Sequence, residues 1–70
     1  MAKSYTAVVK QDGDWWIGWI AEVPGVNCQE SSLETLRKSL RTALREAIDQ
    51  NRNDALAAAG SDYQEETVRV

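Results

Sequence analysis

"AEVPGVNCQESSLETL", residues 21–36, is where this chain turns from strand to helix, and its reading decides the fold. Pro24-Gly25 ends what comes before it, because proline lacks the ladder N–H donor and pre-sets a turn. "VNCQE", Val26 to Glu30, reads as a short strand. Ser31 then opens a helix. With Glu34 three residues later it matches the capping box, in which each side chain satisfies a free backbone N–H; Ser32 is the alternative cap. Cys28 has no histidine anywhere in the chain to activate it and reads as a small apolar core residue.

Upstream of this junction the pattern has period two. "SYTAVVK", Ser4 to Lys10, places Tyr5, Ala7 and Val9 on one face and Thr6, Val8 and Lys10 on the other. Asp12-Gly13 predicts a hairpin, since glycine takes positive φ without penalty. "WWIGWIAEV" follows as a second strand, antiparallel to the first. Its two faces carry Trp15, Ile17, Trp19 and Ala21 on one side, and Trp16, Gly18 and Ile20 on the other. Both are apolar.

Downstream, Leu33, Leu36, Leu40, Leu44, Ala47 and Ile48 recur at spacings of three and four and share one helical face. Asn51 and Asn53 weaken the pattern, so "DALAAAG" is expected as a second helical piece, stopped by Gly60. "EETVRV" is expected as a last short strand with Val68 and Val70 inward. The expected architecture is a single α+β domain over residues 1–70: a small antiparallel sheet, a helix on one face, and the order β-β-β-α-β.

One helix covers one face of a sheet. The other apolar face of the second strand is then left uncovered, and contiguous exposed apolar patches mark interfaces. Trp15, Trp16, Trp19 and Ile20 are the candidate partner or oligomer interface, with the choice of face left open. Length points the same way. Seventy residues bury a modest core, and a lone cysteine without histidine supplies neither an internal disulfide nor a structural zinc site. Oligomerisation is the stabilising device that remains.

The formal charge is −3, from eight Lys plus Arg against eleven Asp plus Glu. That balance speaks against a nucleic-acid-binding domain. The basic stripe Arg37, Arg41 and Arg45 reads as a solvated helix face, and Glu34 sits four residues before Lys38. No apolar run reaches the roughly 18 residues of a membrane span, and "MAKSYTAVVK" lacks the apolar core of a signal peptide, so a cytoplasmic protein is expected. Asp12 and Asp14 read as turn formers and Glu22 as a solvated edge charge. With no histidine, no phosphate-cradling glycine loop and no nucleophile beside a base, no catalytic residue, metal or cofactor is expected.

The stretches "YTAVV", the Gly13 hairpin, "WWIGWIAEVPG", the short strand ending at Gln29 and the leucine-rich helix opened by "SSLE" together resemble the HicB-like antitoxin family. The likeness covers about residues 4–50 and, more loosely, the last strand. It lies in the order and spacing of these pieces, not in any one motif. Glu30 stands where the family commonly has glycine, and Ser31-Ser32 where it often has Asp-Thr. The resemblance implies a truncated RNase H-like fold without that fold's catalytic carboxylates. It further implies an antitoxin that blocks a small basic HicA-like RNA-cleaving toxin and forms dimers or tetramers. Many members carry a C-terminal DNA-binding domain; this chain ends at Val70 without one, so no direct DNA binding is expected. The alternative is an orphan oligomeric small-ligand or protein-interaction module of the same fold.

Overall fold

A computed structural model describes residues 4–70. Residues 1–3, the start of the N-terminal stretch read above, lie outside the described residues. The element order is β1 (Ala7–Asp12), β2 (Trp15–Ile20), β3 (Asn27–Glu30) and α1 (Leu33–Ala59). The strands form one antiparallel sheet in the order β1-β2-β3.

The β1–β2 hairpin closes through two residues, since Asp12 is paired with Trp15. Gly13 takes φ +62 while Asp14 stays at negative φ, the pattern of a type II′ turn, whose twist matches that of the strands. At the other end of β2 the chain turns twice. Val23 N–H donates to Ile20 C=O at 3.3 Å, and Val26 N–H donates to Val23 C=O at 3.4 Å. The second turn has Pro24 then Gly25 at φ +90, the type II arrangement. It drops Val26 into the core just before β3 begins.

The helix cap is a correction. Ser32, not Ser31, is the N-cap: its backbone is extended, at φ −140 and ψ 153. Its Oγ accepts from Thr35 N–H at 3.2 Å. Ser32 has Thr35 at the third helical position, where a capping oxygen reaches the N–H. Glu34 is left in the first turn, where a carboxylate favours the helix dipole, and it approaches Lys38 at 3.8 Å. The expected break near Asn51 and Asn53 is a second correction. The helix runs unbroken for 27 residues, with Gln50 Nε2 donating to Asp54 Oδ1 at 2.7 Å across the weak point. The alanines at 55 and 57–59 are the best helix formers, and they offset the small asparagine penalty. Gly60 stops the helix as expected, at φ +76, with its N–H shared between the carbonyls of Leu56 and Ala57.

The third correction concerns the end of the chain. Residues 65–70 form no strand, so the observed order is β-β-β-α; Val68 is 85% exposed and Val70 wholly so. A strand exists only where its backbone is paired, and here Glu65 is held against the helix by Arg52 at 2.7 Å instead.

Among the described residues the buried hydrophobic core is Ile20, Val26, Leu36 and Leu40, with Leu36 fully enclosed. Around it pack Trp16, Cys28, Leu33, Ala43, Leu44 and Ala47. Gly18 lets the helix approach. A Cβ there would lie 3.0 Å from Leu40 Cδ1 and 3.1 Å from Val8 O and Val9 Cγ1. The chain measures 51 × 23 × 15 Å with a radius of gyration of 15.3 Å. A compact chain of this length would have about 11 Å. The difference arises because α1, about 40 Å long at 1.5 Å per residue, overshoots a sheet of six-residue strands.

Candidate protein-interaction surface

Helix α1 chooses between the two apolar faces of β2. It packs over β2 and β3 on the side of Trp16, Gly18 and Ile20. The opposite side stays open. Residues directly paired across an antiparallel ladder share a face. The open face therefore carries Val8, Lys10 and Asp12 from β1, Trp15, Ile17 and Trp19 from β2, and Asn27 and Gln29 from β3.

Along the middle strand of that face run Trp15, 48% exposed, half-buried Ile17, and Trp19, 40% exposed. Val8 is directly opposite Trp19, Lys10 opposite Ile17 and Asp12 opposite Trp15. The result is an apolar ridge with one cation and one carboxylate along β1 and two amides along β3. An aromatic centre within a polar rim is the composition of a protein contact surface.

Of the four interface residues read from the sequence, Trp15 and Trp19 lie on this open face. Ile20 is 5% exposed and belongs to the core, and Trp16 packs half-buried against it. Both point to the helix side because successive side chains of a strand alternate. Ile17, read from the sequence only as a neighbour, joins the two exposed tryptophans. The signal that separates the faces was Gly18, the one position of β2 where a helix can come close.

Two carboxylates outside this face fasten the fold. Glu22 Oε1 accepts the backbone N–H of Thr6 at 2.7 Å, which holds its carboxyl below the usual range and ties the loop after β2 to the start of β1. Glu30 Oε2 accepts from Ser39 Oγ at 2.7 Å, fastening the end of β3 to the helix. Cys28 lies opposite Gly18 on the covered side, where burial and then the nearby Glu30 push its thiol up. Among the described residues no three His, Cys, Asp or Glu side chains gather as they would to hold a metal ion. No helix among them is long and apolar enough to cross a membrane.

Neither a family model, nor a curated protein, nor a solved structure matches this chain.

Proposed function

We propose that this chain is a non-catalytic binding protein of antitoxin type, which neutralises a small HicA-like RNA-cleaving toxin by direct contact and acts as a homo-oligomer. The observation that carries the proposal is the open Trp15–Ile17–Trp19 face, an exposed apolar ridge of the kind that marks interfaces. The order β-β-β-α supports the truncated RNase H-like assignment over its first four elements. The net charge of −3 complements a basic toxin and would speed its capture. On this reading the protein works in the cytoplasm, without cofactor and without touching DNA.

The test is co-expression with a small basic ribonuclease of HicA type. The expected result is copurification of the two chains and suppressed RNA cleavage, both lost in Trp15→Ser/Trp19→Ser. Undiminished cleavage with no copurification would refute the proposal.

A further inference from the structure

Helix α1 leaves more than the tryptophan face uncovered. It packs over β2 and β3 and leaves β1 at the margin, where Ala7 and Val9 face the helix side yet remain exposed. Between β1 and the helix lies a cavity of about 300 Å³. Its floor includes the buried pair Ile20 and Leu40, and the exposed Arg37 and Arg41 stand on its helix side. A hollow of about 310 Å³ shares Tyr5, Arg41 and Leu44 with it and continues along the helix to Arg45 and Asp49. Together they make one groove, apolar below and rimmed by Arg37, Arg41 and Arg45.

The fold does not neutralise this arginine row. Its members follow at four-residue intervals, where like charges on a helix repel. Among the described residues the ion pairs are Lys38 with Glu34 and Arg52 with Glu65, and none of the three rim guanidinium groups donates a side-chain hydrogen bond. Asp49 is the single carboxylate lining the groove, and it stays outside ion-pair distance of Arg45.

A free strand edge runs beside the row. Tyr5 lines both hollows, whereas Ala7 lines only the one that holds Arg37, so β1 follows the groove in the opposite sense to the helix. Ala21 N–H donates to Thr6 C=O at 2.9 Å, which makes Thr6, and by alternation Val8, Lys10 and Asp12, the residues bonded to β2. The backbone groups of Ala7, Val9 and Gln11 therefore point away from the sheet. Nothing among the usual edge protections guards them except Lys10: β1 has no proline, no bulge and six paired residues.

Spacing says what fits both. Residues four apart on a helix are about 6.0 Å apart along its axis. Alternate residues of an extended strand are about 6.6 Å apart. Arg37 to Arg45 thus covers about 12 Å, and five successive residues of an added strand about 13 Å. A strand laid on the β1 edge presents every second side chain to one arginine. Glutamate suits those positions, with two methylenes for the apolar floor and a carboxylate for the guanidinium fork. The chain's own last segment is not this strand. "EETVRV" carries its two carboxylates at adjacent positions, so one at most falls on either face, and Glu65 is already held by Arg52 at 2.7 Å. A basic toxin is not the occupant either, since the row repels it.

We propose that the β1 edge and the Arg37–Arg41–Arg45 row form a second docking site, for an extended segment of a partner protein with glutamates at alternate positions. The segment adds to β1 as a fourth strand and sets one carboxylate against each arginine. The site goes beyond toxin neutralisation: it lies on the helix side of the sheet, away from Trp15 and Trp19, and takes a partner of opposite charge.

The probe is a fluorescein-labelled peptide of sequence TETETET, titrated by anisotropy at low salt and followed by amide hydrogen exchange. The full chain is expected to bind it at least about 10-fold tighter than TQTQTQT, with the amides of Ala7, Val9 and Gln11 protected only in its presence. Arg41→Gln should weaken binding by about 10-fold, and Arg37→Gln/Arg41→Gln/Arg45→Gln should bring it down to the level of TQTQTQT. If the triple variant does not fold, the single substitution decides. Equal binding of the two peptides overturns the proposal, as does binding that leaves the three amides exposed. Equal uptake of an eight-nucleotide oligothymidylate also overturns it, by making the row a general polyanion surface. So does protection of the three amides without peptide, which means that residues 65–70 already fill the edge. All of these results leave toxin neutralisation to be judged by the co-expression test alone.

Discussion

Strand β2 carries two faces built from nearly the same residues, and they meet opposite fates. Trp16, Gly18 and Ile20 go under the helix, while Trp15, Ile17 and Trp19 face outward. Hydrophobicity does not distinguish them. The difference is one missing side chain: Gly18 admits Leu40 at a distance no larger residue would permit, and the outer face has a bulky side chain at every position. The helix settles where packing is closest, since dispersion and water exclusion both depend on contact. The face left over is therefore no accident of a short chain. It is the one with a bulky side chain at every β2 position.

The comparison can be broken most severely from the covered side. Leu40→Ala removes a side chain that is 2% exposed and the one that fills the space at Gly18. It should cost about 2–5 kcal/mol. A chain of this length has a total stability of about 4–10 kcal/mol, so urea denaturation should show a largely unfolded protein or a sharply lowered midpoint. Filling the same space from the other side is the next largest change. Gly18→Ala puts a Cβ at 3.0–3.1 Å from three atoms, two of them in β1, and should cost about 1–3 kcal/mol in the same titration.

The open face should respond in the opposite sense. Trp15→Ser and Trp19→Ser should each change the stability of the isolated chain by no more than about 0.5 kcal/mol, while weakening partner binding by about 2 kcal/mol or more. Trp16→Ser should reverse that ranking, with the loss in stability. Equal stability losses at Trp15 and Trp16, read by urea titration, would dissolve the distinction between the faces.

Two smaller tests concern how the covered face is held. Ser32→Ala should destabilise by about 1 kcal/mol and Ser31→Ala by much less, because only Ser32 bonds Thr35 N–H. Glu22 gives a pH signature. Its carboxyl is held below its ordinary value of 4.5 by the Thr6 N–H, so the folded state favours the charged form. Its contribution is complete above that ordinary value and is lost as pH falls through the lowered one. Thermal melts of Glu22→Gln should lose that part of the acid-side dependence and little else.

How much of this was legible beforehand varies along the chain. The three strands, the Gly13 hairpin, the Pro24-Gly25 stop, the apolar helix face and the Gly60 terminus follow from local chemistry, and each stands within a few residues of where the pattern puts it. The cap was legible only to within one residue, because Ser31 and Ser32 both have a partner three positions on, and only backbone geometry selects one. The break at Asn51 was misread because residue propensities sum over a whole helix, and the alanines beyond outweigh two asparagines. The last strand was misread for a different reason. Alternation in "EETVRV" reports an ability to pair, whereas a strand also needs an edge within reach.

For the candidate surface, the sequence by itself determined that both faces of β2 are apolar and that a single amphipathic helix is there to cover one of them. Those facts are local, fixed by period two in the strand and by spacings of three and four in the helix. Which face is covered was decided only in the tertiary structure. It depends on Leu40 and Gly18, twenty-two residues apart in sequence, meeting at van der Waals contact. No periodicity records that distance, because it is a property of two surfaces and not of either element alone.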